Sequence, residues 1–188
     1  MNFKDINFCE DVMYEHGIVR KLLVIYNKCI DIIQSENNPE IYSIVKQTAL
    51  IIRKFVEEYH EFIEEEYIFP LFKNDFKYDK LIKELIKQHT ISREITDKIL
   101  ELSDKKSKEE LIKLIKQFNE IYAIHMYTED LMIIRNVRKH ISQEEFIALS
   151  KKFDEIEDEL LGEHGFETIL REVITIEQKL DINIVYRN

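Results

Sequence analysis

The chain has 188 residues, 45% hydrophobic and 34% charged, and a net charge of −10. That length can bury one sizeable core, the composition argues against disorder, and the acidic balance excludes a basic stripe for nucleic acid. With only 3 Gly and 2 Pro to punctuate it, its elements must be long, and its Ile, Leu, Lys and Glu favour helices over strands.

Six helices are predicted in chain order. The first spans about 8–35 and ends at Ser35-Glu36-Asn37-Asn38-Pro39. The second runs about 40–68, with Pro39 at its first position and Pro70 just past its end. The third covers about 79–103. Ser107-Lys108-Glu109-Glu110 reads as a capping box that opens the fourth, which runs to about 139. A second box, Ser142-Gln143-Glu144-Glu145, opens a fifth helix that ends near Gly162, and a sixth covers about 166–181. No linker or low-complexity segment separates them. One domain over 1–188 is expected, with a bundle core at about 8–139 and two C-terminal helices at about 142–181. No apolar run is long enough to span a membrane. Acids stand in MNFKDINFCEDV where a secretion signal needs apolar residues, so a cytoplasmic location is expected. Cys9 and Cys29 form no CxxC pair and read as free thiols.

The first four helices carry apolar residues at coiled-coil spacing, and a histidine interrupts each seam. The first shows Val12, His16, Val19, Leu23, Tyr26, Ile30 and Ile33; the second Val45, Ala49, Ile52, Val56, His60, Ile63 and Tyr67. The third shows Ile82, Leu85 or Ile86, His89 and Thr96; the fourth Leu111, Leu114, Phe118, Ile121, His125, Thr128 and Met132. Such seams pack into an antiparallel up-down four-helix bundle. Hairpin arithmetic sets the heights of the histidines. His16 and His60 lie equally far from the turn near Asn38, His60 and His89 flank the turn near Asp75, and His89 and His125 flank the turn near Lys106. The residual offsets are on the order of one helical turn, so the four imidazoles converge on one layer.

Two carboxylates follow the same geometry. Glu64 is four residues after His60 and Glu129 four after His125, and an i, i+4 pair shares a helix face. Two carboxylates buried beside four imidazoles without a cation would cost many kcal/mol. A dinuclear metal site removes that cost. Nitrogen and oxygen donors with no thiolate suit Fe or Mn, and Zn less well at a paired site. His16, His60, Glu64, His89, His125 and Glu129 are therefore the expected ligands.

The segments Tyr14-Glu15-His16, Tyr59-His60-Glu61-Phe62-Ile63-Glu64-Glu65-Glu66-Tyr67-Ile68-Phe69-Pro70, Gln88-His89 and His125-Met126-Tyr127-Thr128-Glu129-Asp130 resemble the hemerythrin-like, or HHE cation-binding, family over about 10–140. The resemblance implies a hemerythrin-like all-α fold and two Fe ions with an oxo or hydroxo bridge. It implies a di-iron protein that reacts with or senses O2, peroxide or nitric oxide, with redox enzyme activity left open. Alternatives within the family are iron delivery or repair of damaged iron–sulfur centres, reversible oxygen storage, and a ligand-responsive regulatory role for the last two helices. The oxygen-carrying branch has a further histidine four residues after the third-helix ligand, where this chain has Arg93. That branch places an Asp five residues after the fourth-helix histidine, which makes Asp130 the reserve ligand to Glu129. His140, in a turn, is expected at the surface, and His164, at a helix break, away from the site. Tyr59, Tyr67, Tyr122 and Tyr127 are expected to pack around the ligands, and Arg93 to snorkel or pair with an acid.

Overall fold

The computed structural model describes residues 8–35 and 38–182, and every regular element among them is helical. The α1 helix spans Phe8–Ser35. The α2 helix is one rod joined from Ile41–Ile51, Ile52–His60, Glu61–Ile63 and Glu64–Ile68, and its second and fourth pieces are wound more widely than an α-helix. There Glu61 N–H donates to Val56 O and Phe69 N–H to Glu64 O, each five residues back. A tight turn, Phe69–Phe72, ends the rod at Pro70, whose missing N–H prevents continuation. Asp79–Lys105 forms α3 and Lys108–Met132 forms α4. After a 3₁₀ stretch, Ile134–Lys139, come α5 (Gln143–Leu161) and α6 (Gly165–Lys179). No helix among the described residues is long and apolar enough to cross a membrane.

Short turns make consecutive helices antiparallel neighbours, and α1 closes the ring by packing on α4. The last two helices lie against the outer side of α1 and α2. Phe8 seats between Phe146 and Phe153 at ring distances of 4.5 and 5.0 Å, Phe55 meets Phe166, and Lys21 pairs with Glu177 at 3.0 Å.

The predicted inner face of α1 is buried throughout, and that of α2 is buried as far as Ile63, with Tyr67 half-buried. In α3 the choice falls on Leu85, since Ile86 is exposed. In α4 the expected stripe is only half right. Leu111, Phe118 and His125 are buried, but the others inside are Ile115, Tyr122, Met126 and Glu129, while Met132 is exposed. A straight 3.6-residue helix drifts from a strict heptad, so its inner stripe moves around the helix toward 129. The α4 helix also stops before 139: the switch to 3₁₀ winding puts Ile134 and Val137, three apart, on one buried side. The Ser142 capping box forms in both directions. The Ser107 box does not, because Ser107 Oγ donates to the Glu110 carboxylate and accepts no backbone N–H.

His140 departs from expectation. It is largely buried, packed on Phe72 and Tyr78 at ring distances of 4.4 and 5.4 Å. Its Nδ1–H donates to Asn136 O at 3.0 Å, and Nε2 lies 3.3 Å from Asp75 Oδ2. A short turn that folds back over the bundle end gives an aromatic-lined place that spacing alone did not reveal. His164 is exposed on its turn, as expected.

Candidate metal centre

His16 from α1, His60 and Glu64 from α2, His89 from α3, and His125 and Glu129 from α4 meet in one layer of the bundle, all six shut off from solvent. Each imidazole is oriented by its outer nitrogen. Nδ1 lies 2.7 Å from Asp130 Oδ1 in His16, 2.6 Å from Glu15 Oε2 in His60, 2.8 Å from Glu65 Oε1 in His89 and 3.0 Å from Gln88 Oε1 in His125. All four partners are acceptors, so each Nδ1 carries the proton and donates it. That leaves each Nε2 with its lone pair for the interior, the arrangement that prepares a histidine for a metal.

The inner nitrogens surround the two glutamates. Glu64 Oε1 is 3.3 Å from His60 Nε2 and 3.8 Å from His16 Nε2, while Oε2 is 3.4 Å from His89 Nε2. Glu129 Oε2 is 3.0 Å from His125 Nε2 and 3.5 Å from His16 Nε2. Two four-residue groups result, His16–His60–Glu64–Glu129 and His89–His125–Glu64–Glu129, each with donor atoms within 4.8 Å of one another. The glutamates belong to both.

These residues fit a pair of cations. Both oxygens of Glu64, both of Glu129 and Nε2 of His16 are buried with no hydrogen-bond partner, and orphaned polar atoms at such depth are costly. His89 Nε2 and His125 Nε2 face each other at 2.9 Å, where two lone pairs repel unless a proton or a cation joins them. Protonation patterns agree. Burial works to lower the His16 pKa, but the bond to Asp130 and the nearby carboxylates of Glu129 and Glu64 prevail and hold it well above its ordinary range. Burial is likewise outweighed at His89, which the nearby Glu64 carboxylate and the bond to Glu65 push up to about 10. At Glu64 burial favours the acid form, yet the charge of His60 and the nearby rings of His16 and His89 hold it well below the usual carboxylate range. A bound cation would take the place of those shared protons.

Asp130, the reserve ligand, stands on the outer nitrogen of His16 and is tied to Arg20 at 2.6 Å, whereas Glu129 faces inward. A third cluster, Glu61–Glu65–His89, is already engaged by an arginine. Arg93 Nε lies 2.6 Å from Glu61 Oε2 and its Nη2 2.7 Å from Glu65 Oε1. Tyr59 OH donates to Glu15 at 2.9 Å, and Tyr122 OH donates to Glu61. Tyr67 packs on Phe62 and Phe153, and Tyr127 is exposed. Sequence reasoning missed the roles of Glu15, Glu61, Glu65 and Gln88. A seam histidine needs an acceptor for its outer nitrogen, so the sequence signals four such acceptors without saying which helix lends each one: Glu15 precedes His16 but serves His60.

The family profile of the Hemerythrin HHE cation binding domain matches residues 8–152. Uncharacterised proteins of Mycobacterium tuberculosis and Mycobacterium bovis are each 29% identical over 179 residues, covering 92% of this chain and 70% of theirs. No solved structure gives a significant match.

Proposed function

This chain belongs to the hemerythrin HHE cation-binding family, and from that premise we propose that it holds two iron ions and reacts with or senses O2, peroxide or nitric oxide. In this reading His16 and His60 hold one ion, His89 and His125 the other, and Glu64 and Glu129 serve both. The observation that carries it is the division of labour in every imidazole: Nδ1 is engaged outward, and Nε2 is aimed at a carboxylate pair that lacks other partners. The all-nitrogen-and-oxygen donor set favours iron or manganese over metals that seek thiolates.

An iron pair supplies electrons and open coordination positions to a small oxidant. The chain's part is to hold the ligands and exclude water. Phe69 stacks on His89 at 5.9 Å, closing that side of the layer. Arg93, at the place of the oxygen carriers' additional histidine, is turned to Glu61 and Glu65 and offers no nitrogen lone pair. Four imidazoles shared between two ions would leave room for a small molecule at each, which supports reactivity over reversible storage.

The test is elemental analysis of freshly purified protein, then stopped-flow spectroscopy of the reduced form. About two iron ions per chain are expected, with oxidation by O2 or peroxide and no persistent oxygenated spectrum. A single zinc, or no metal after growth with ample iron, would defeat the di-iron reading. A stable, reversible oxygenated spectrum would instead establish storage.

A further inference from the structure

Resting on that two-ion reading, we infer that the two metal positions are unequal, and that the ion on His89 and His125 is the exchangeable one. The inequality lies in the acceptors behind the rings. An imidazole whose Nδ1–H is drawn toward an anion becomes a stronger donor at Nε2, and charge-assisted hydrogen bonds are about twice as strong as neutral ones.

His16 and His60 are both backed by carboxylates, at 2.7 and 2.6 Å. Glu15, behind His60, is buried, and its other oxygen accepts the neutral Tyr59 hydroxyl. Asp130, behind His16, uses one oxygen for the ring and the other for Arg20, whose side chain is half in solvent and weakly felt.

The other pair is backed more weakly on both counts. Glu65 presents to His89 the same oxygen, Oε1, that Arg93 binds at 2.7 Å, so one oxygen's charge is divided between two donors. Among the described residues His125 has no anion behind its Nδ1: its partner is the neutral amide oxygen of Gln88, at the longest distance of the four, 3.0 Å. Glu64 and Glu129 are common to both groups and cannot offset the difference. The His125 corner is therefore the weak one, and Gln88 and Glu15 are the positioning residues that set the order of loss.

The test loads the full chain anaerobically with Fe(II) and mixes it with an excess of a colour-forming ferrous chelator, counting iron released against time. Two phases of one equivalent each are expected. Replacing an outer acceptor typically changes metal affinity about 10–100-fold. Gln88→Glu should slow the fast phase by that order and leave the slow phase alone. Glu15→Gln should accelerate the slow phase and leave the fast one. Melting of the metal-free variants checks their folding, and either variant alone suffices if the other does not fold. A chain that takes up two equivalents but loses them in a single phase, unmoved by either variant, would overturn this inference and leave the two-ion reading standing. A chain that takes up only one equivalent would overturn both.

Discussion

Arg93 occupies the boundary between the candidate centre and solvent, and its removal gives a sharp test of how the centre is braced. It pairs with Glu61, which is fully buried, and with Glu65, which is only partly covered. Arg93→Met keeps an unbranched apolar stem and removes the charge. Deleting one partner of a buried pair costs about 3–5 kcal/mol, because the other charge is left uncompensated. Glu61 still accepts the Tyr122 hydroxyl, with Ser92 Oγ at 3.4 Å, and Arg93 is itself 34% exposed, so about 2–3 kcal/mol is the better figure here. For a chain of this size that corresponds to a melting temperature lower by about 5–10 °C. The assay is thermal unfolding of metal-free protein followed by circular dichroism, which removes any contribution of bound metal. Adding Glu61→Gln should recover part of the loss, since the amide keeps a bond to Tyr122 without a charge. A variant within about 0.5 kcal/mol of the parent, or a double variant worse than Arg93→Met alone, would refute the reasoning.

Other perturbations have equally definite outcomes. Glu57 is buried, with Arg53 Nε 3.0 Å from Oε2 but no well-aligned hydrogen bond on either oxygen. Burial pushes its pKa up to about 7 although Thr96 and the Arg53 charge pull the other way. The folded chain thus keeps a proton that the unfolded chain releases near 4.5, and stability falls as pH rises from there through about 7. Glu57→Gln should be near neutral at about pH 4 and stabilising by about 1–3 kcal/mol at about pH 8 in urea unfolding; equal effects at both would contradict the burial argument. His60→Ala should lower the melting temperature more in iron-loaded than in metal-free protein, because a ligand that binds only the folded state stabilises it. Equal losses in the two forms would make His60 a packing residue.

Most of the helical framework was legible from periodicity, because long amphipathic stripes leave little choice of partner face. Seam histidines at matching hairpin distances also brought six donors to one level on paper, and the structure gathers the same six. What spacing could not supply was phase within a helix and neighbours across helices. Heptad spacing runs the α4 stripe along Ile121 and Thr128, whereas the buried side passes through Tyr122 and Glu129. A heptad frame blurs residues that differ by one step, and the four-residue His125–Glu129 pairing was the better guide. The acceptors behind the rings were harder still. Glu15, Glu65 and Gln88 look in sequence like ordinary solvated positions, and each acquires its role only through a histidine on another helix.

The five-back hydrogen bonds of α2 imply a particular vulnerability. Segments wound this way tend to accompany functional sites, and here they lie on both sides of Glu61–Ile63. From this one rod Tyr59 reaches Glu15, His60 and Glu64 turn inward, Glu61 meets Tyr122, and Glu65 meets His89. Neighbouring residues of any helix point in different directions, and the wider turns here change the angles between them. Shortening that stretch by a single residue would let it tighten into an ordinary helix: the narrower turn holds one residue fewer, so the flanks would keep close to their phase while side chains within the stretch changed direction. Between Ile52 and Ile68, then, α2 stores its information in the number of residues as much as in their identity.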